Sequence, residues 1–163
     1  MPILGNLQEF LDLSGVLYTH TVHPLAYTAR EVACLEHVPP QEVAKVVIVV
    51  ASGEYKMLVL PASKVIDFQE VRDALGCNTA RLATETELPR LFPDCELGAM
   101  PPFGNLYNMK VLMDSNLLAD EKILFNAGTH RDVIHLRQED YRRLVRPEVV
   151  HLAREVAGKG GGW

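Results

Sequence analysis

The 163-residue chain has no apolar run that approaches the ~20 residues a helix needs to cross a bilayer. Its longest strongly aliphatic stretch is Val46 to Val50, so no membrane partner is expected. The opening Met1-Pro2-Ile3-Leu4-Gly5 lacks a basic region followed by an apolar core, which argues against a secretory leader. Cysteine is scarce. Cys34, Cys77 and Cys95 are odd in number and widely spaced, so a disulfide framework is unexpected and a reducing, cytoplasmic setting fits. Each lies among apolar or helical neighbours and reads as a packing residue. There is no Gly-rich phosphate loop followed by Lys-Ser/Thr, and no Gly-x-Ser-x-Gly elbow for a serine hydrolase. His20-x2-His23, Cys34-x2-His37 and His130-x4-His135 are too scattered for a zinc site, so neither metal nor cofactor is expected.

Composition fits one soluble globular domain over residues 1–157, with Gly158 to Trp163 as a flexible tail. The net charge is −5, yet residues 122–163 hold eight Lys/Arg against five Asp/Glu. Overall acidity excludes a general nucleic-acid coat, whose affinity would come from neutralising many phosphates. It leaves room for one basic face built from Arg131, Arg137, Arg142, Arg143, Arg146 and Arg154, with a plain solvated surface as the alternative.

Periodicity predicts a helix over Leu4–Leu13, a short strand over Val16–Val22, and a helix opened by the capping-box pattern Thr28-Ala29-Arg30-Glu31 and stopped by Pro39-Pro40. Glu42–Ala51 is a β-branched run suited to a central strand buried on both faces, with Tyr55–Leu60 as its hairpin partner. Asp67 with Glu70, and Thr84 with Glu87, look like caps of two further helices, the first closed by Gly76. Leu106–Met113, Ile123–Asn126 and Val133–Leu136 read as extended, Gln138–Val145 as a helix, and Pro147 as the start of another through Val156. About seven short strands without a strict strand–helix–strand repeat predict an α+β fold: a mixed, largely antiparallel closed sheet or barrel with peripheral helices.

Three features carry the chemistry. Lys45 opens the aliphatic strand, so its ammonium is either desolvated toward a pocket or snorkels to water. Gly98-Ala99-Met100-Pro101-Pro102-Phe103-Gly104 is rigid in the middle and permissive at both ends, a shaped rim or an ordinary turn. Gly128-Thr129-His130 is a small-residue corner that presents backbone N–H groups or an imidazole, or else a plain hairpin turn.

In that order, His23-Pro24, Thr28 to Ala33, Val43-Ala44-Lys45, Gly98 to Gly104 and Gly128-Thr129-His130 resemble the YbaK/prolyl-tRNA-synthetase-associated family of free-standing, trans-editing aminoacyl-tRNA deacylases. Phe125 to Asp132 looks most like the branch that clears alanine from tRNA for proline. The resemblance implies metal-independent hydrolysis of the ester joining a wrong amino acid to a tRNA 3′ end. It makes Lys45, Gly128 and His130 the catalytic set, and Gly98, Met100, Pro101, Pro102, Phe103, Gly104 and Thr129 the substrate-binding set. Implied partners are the tRNA acceptor end and, as a further candidate, a tRNA synthetase; oligomeric state stays open. Alternatives are a Cys- or Ser-tRNA deacylase, a silent tRNA- or synthetase-binding module, and a small-ligand sensor. Many members place a polar residue directly after the lysine, where this chain has Val46; strand alternation predicts that Val46 faces the core.

Overall fold

The computed structural model describes residues 3–156, so the expected tail from Gly158 lies outside the described residues. Helix α1 (Ile3–Ser14) packs Leu7 and Leu11 into the core. Strand β1 (Tyr18–Val22) leads into α2 (Ala29–Leu35), where the predicted capping box is present: Glu31 N–H donates to Thr28 Oγ1 at 3.1 Å, and Glu31 Oε1 accepts from Thr28 N at 3.2 Å. The β-branched run forms β2 (Ala44–Ala51), and a 3₁₀ turn over Pro40–Glu42 takes the place of its expected start. Strand β3 (Glu54–Pro61) returns antiparallel to it. Strand β4 (Lys64–Ile66) precedes α3 (Phe68–Leu75), which is capped by Asp67 and closed by Gly76 in the left-handed region at φ 64°.

Strand β5 (Arg81–Leu82) and the single-turn α4 (Leu88–Leu91) lead to the Gly-Pro loop. The extended segment expected from Leu106 is shorter than predicted. Gly104–Tyr107 is a 3₁₀ turn and only β6 (Lys110–Asp114) is strand, because Asn108 turns the chain at φ 54°. Then follow β7 (Lys122–Asn126), β8 (Asp132–Arg137) and α5 (Gln138–Val145), within a residue or two of expectation. The helix predicted after Pro147 does not form. Glu148–Val150 is β9, parallel to β6, and Ala153–Glu155 is β10, antiparallel to β4. The buried carboxylate of Asp114 accepts from Leu152 N at 2.8 Å and Ala153 N at 3.2 Å, holding this segment extended.

The fold is α+β, but the expected closed sheet or barrel is not what forms. The strands make three sheets, β5-β2-β3-β6-β9, β1-β8-β7 and β10-β4, and the first two touch through one isolated bridge, Val43 to Leu124. Pairing is mixed, since β3–β6 and β6–β9 are parallel. The central strands are buried on both faces, as the sequence suggested. Ile48, Met57, Val59, Val111 and Met113 face the main core with Phe103, Phe125 and Tyr141, while Val49, Leu58 and Leu112 face α3 through Val71. No described helix is long and apolar enough to cross a membrane.

Candidate active site

Lys45 stands on β2 opposite Leu60 and lines a cleft of 240 Å³ with Tyr27, Thr28, Val46, Gly98, Met100 and Asn126. Burial, reinforced by the Arg30 guanidinium on α2, lowers its ammonium from the ordinary 10.5 to about 7. Val46 does pack against the main core as alternation predicts, yet it also contributes to the cleft wall. A larger hollow of 540 Å³, lined by Asp120, Glu121, Lys122 and Arg137 among others, lies at the opposite end of the β7–β8 ladder. It holds none of the predicted catalytic or substrate-binding residues, so the smaller cleft is the candidate site.

The Gly-Pro loop and the Gly128 corner are stitched together by main-chain bonds. Glu96 N–H donates to Gly128 O at 2.7 Å and Gly128 N–H to Ala99 O at 2.9 Å. The Gly128 amide is therefore committed to the fold and is no spare donor for an oxyanion. Gly98 sits at φ +83°, the left-handed region that favours glycine, with His130 Cε1 3.6 Å from where a Cβ would stand. His130 is 7% exposed; its N–H donates to Glu96 Oε1 at 2.8 Å and its ring packs 5.1 Å from Tyr27. Its Nε2 lies 2.7 Å from the Leu97 carbonyl, which can only accept, so Nε2 carries the proton and Nδ1 is the acceptor of the neutral ring.

The other predicted residues separate by position. Met100 lines the cleft with Lys45 and Gly98. Pro101, Pro102, Phe103 and Gly104 are buried beneath the loop. Pro102 O accepts from Tyr141 Oη at 2.6 Å, and Phe103 meets Phe10, Phe125 and Tyr141 with ring centroids 6.1, 5.4 and 5.5 Å away. These four anchor the rim from behind. Thr129 Oγ1 donates to Asp132 Oδ2 at 2.6 Å and accepts from Arg131 N and Asp132 N, while Asp132 Oδ1 meets His20 Nε2 at 2.6 Å. Its hydroxyl is thus occupied in holding the corner that carries His130.

Sequence reading passed over Asn126 and Tyr27 as site residues. A polar residue closing the apolar Ile123-Leu124-Phe125 run was the available signal for Asn126; nothing local marked Tyr27, which reaches the cleft by packing on His130. The arginines proposed as a basic face are exposed, but Arg137 pairs with Glu139 at 3.0 Å and Arg143 with Asp140 at 3.1 Å, which suits the solvated-surface alternative. Cys34, expected to be a packing residue, is exposed. Burial pushes the Cys95 thiol up to about 12, which suits packing and not nucleophilic attack. Among the described residues no group of three or more His, Cys, Asp or Glu is placed to hold a metal.

This chain is similar to several known proteins. The Multifunctional Ser/Thr-tRNA deacylase ProXp-y of Escherichia coli (strain K12) is 30% identical over 103 residues, 63% of this chain and 61% of that protein's length. The hypothetical protein APE2540 superposes with a TM-score of 0.83 at 21% identity, covering 91% of this chain and 99% of that one. A candidate trans-editing enzyme for prolyl tRNA synthetase superposes with a TM-score of 0.82 at 19% identity, covering 94% of this chain and 98% of that one. At those identities both show the fold. A model of the aminoacyl-tRNA editing domain matches residues 23–144, most of the chain and all of the cleft; the chain belongs to that family.

Proposed function

We propose that this protein hydrolyses the ester of mischarged aminoacyl-tRNA in trans, with alanine on tRNA for proline as its principal substrate. The observation that carries the reading is the single cleft in which Lys45, Gly98 and Met100 converge. In the reaction, water adds to the ester carbonyl, the bond to the ribose oxygen breaks, and that oxygen takes up a proton, releasing free amino acid and uncharged tRNA. The aminoacyl ester is already activated by its α-ammonium and the adjacent ribose hydroxyl, so the protein has mainly to position the groups and stabilise charge. Lys45, protonated below about 7, supplies the cation for the developing oxyanion. Gly98 and Met100 wall the acyl group, and the anchored Pro101-Pro102-Phe103-Gly104 segment keeps that wall rigid. His130, held by Glu96 and Leu97, closes the far side.

A small second sieve of this kind fits the selectivity problem. A synthetase pocket cannot strongly reject a smaller amino acid, because one methylene is worth only ~1–3 kcal/mol. A second reading, serine or threonine as the acyl group, is favoured by the name of the Escherichia coli relative.

Incubation with Ala-, Ser-, Thr-, Cys- and Pro-tRNA for proline, with chelator present, tests both. Selective loss of alanine supports the first reading, and loss of serine or threonine the second. Lys45→Ala should slow hydrolysis about a hundredfold or more while the fold persists. Undiminished turnover in that variant would remove Lys45 from the mechanism, and no turnover of any substrate would leave a silent tRNA-binding module.

A further inference from the structure

Two buried acceptor atoms without a hydrogen-bond partner among the described residues bear on this cleft: Asn126 Oδ1, on a residue that lines it, and His130 Nδ1, on a ring packed behind the lining residues Gly98 and Tyr27. Folded proteins seldom leave buried polar atoms unpaired, so the pair requires an account. Asn126 ends β7 opposite Val133 and lines the cleft with Lys45. His130 spends Nε2 on the Leu97 carbonyl, which leaves Nδ1 an acceptor of the neutral ring. Its Cε1, bonded to that Nδ1, is the nearest atom to where a Cβ on Gly98 would stand, and Gly98 is itself part of the cleft wall. The Glu96 carboxylate holds the His130 N–H and adds negative charge at the same corner.

The cleft is thus directional, with a cation on the β2 side and unmet acceptors on the β7–β8 side. An aminoacyl ester is directional in the matching sense, with a carbonyl oxygen that accepts and an α-ammonium that donates. We infer that Asn126 Oδ1, seconded by His130 Nδ1, receives the α-ammonium of the substrate, so that Asn126 selects for acyl groups carrying a free amine. The inference rests on the deacylase reading and gives the cleft a chemical filter beyond its size. N-blocked or amine-free acyl esters on the same tRNA should then be poor substrates.

The test uses a hydrolysis-resistant pair, 3′-alanylamido-3′-deoxyadenosine and its propionyl counterpart, which lacks only the α-amine. At pH 7 the wild-type protein should bind the alanyl compound about tenfold or more tightly, since a charge-assisted bond is at stake. Asn126→Leu, similar in size but without the acceptor, should narrow the gap to about threefold or less. Equal affinity for the two compounds in the wild type, weak binding included, overturns the inference whether or not the variant folds. An undiminished gap in folded Asn126→Leu overturns the role of Asn126. Failure of the underlying reading looks different: no aminoacyl-tRNA is deacylated at all.

Discussion

At the scale of single residues, the proposed role of Lys45 would couple activity to stability with opposite signs. Burial lowers its ammonium to about 7 from 10.5, so the folded state loses this proton well before the unfolded chain does. Below about 7 both states are protonated and the full cost of the buried charge is present. Between about 7 and 10.5 the unfolded state binds more protons, so this residue's contribution to stability improves as pH rises. With Lys45 as the proposed cation, catalysis should run the other way, because the charge is lost over the same window. The kcat/KM for Ala-tRNA, corrected for spontaneous hydrolysis, should fall as pH rises through about 7. Meanwhile any stability advantage of Lys45→Met over wild type should shrink from pH 6.5 toward pH 9. A kcat/KM that rises through 7 would mean that the neutral amine is the working form.

At the scale of elements, the Gly-Pro loop is a rim with a foundation. Its two glycines do different jobs. A Cβ at Gly104 would stand 2.5 Å from the Met109 carbonyl oxygen and 2.6 Å from Val111 Cγ2, and the carbonyl belongs to backbone that cannot swing aside. Gly104→Ala should therefore cost about 1–3 kcal/mol in urea unfolding, as overpacking does. At Gly98 a Cβ would meet only His130 Cε1, at an ordinary 3.6 Å, but φ is left-handed, so Gly98→Ala should cost about 1–2 kcal/mol of backbone strain while disturbing the cleft wall directly. The expected contrast is a larger loss of deacylation per unit of lost stability at Gly98 than at Gly104.

Elements differ in how far the sequence declares them. Helices α2 and α3 announce themselves because a cap is a local bargain between Thr28 and Glu31, or between Asp67 and the two amides after it. Lys45 is legible for a similar reason, a charge at the mouth of an aliphatic run. The segment after Pro147 is not, since its neighbours β6 and β4 lie far away in sequence. Tyr27 is silent for the same cause, and Asn126 offers only a polar side chain closing an apolar run: each becomes a site residue only when β7, the segment before α2 and the Gly98 loop come together.

At the scale of the whole molecule, the question is what holds three open sheets as one body. The bridge from Val43 to Leu124 joins the large sheet to the β1-β8-β7 sheet near the cleft, and the main core fills the space between them. The link to the β10-β4 sheet is the Asp114 carboxylate. It ends β6, is fully buried, and accepts from Leu152 and Ala153 just where the chain passes from β9 to β10. The same side chain accepts from the Asn116 amide through its other oxygen, so both carboxylate oxygens are occupied. Asp114→Ala would leave Leu152 N–H and Ala153 N–H without their acceptor in a dry site, at about 2–4 kcal/mol for the pair. Asp114→Asn keeps one acceptor oxygen and should cost less. The loss should be local before it is global: amide exchange at Leu152 and Ala153 should accelerate while β2 and β3 stay protected. Deacylation should persist in the folded fraction, because Asp114 is not among the residues that line the cleft. Uniform acceleration across all strands would instead mean that β9 and β10 fold with the centre of the molecule as a single unit.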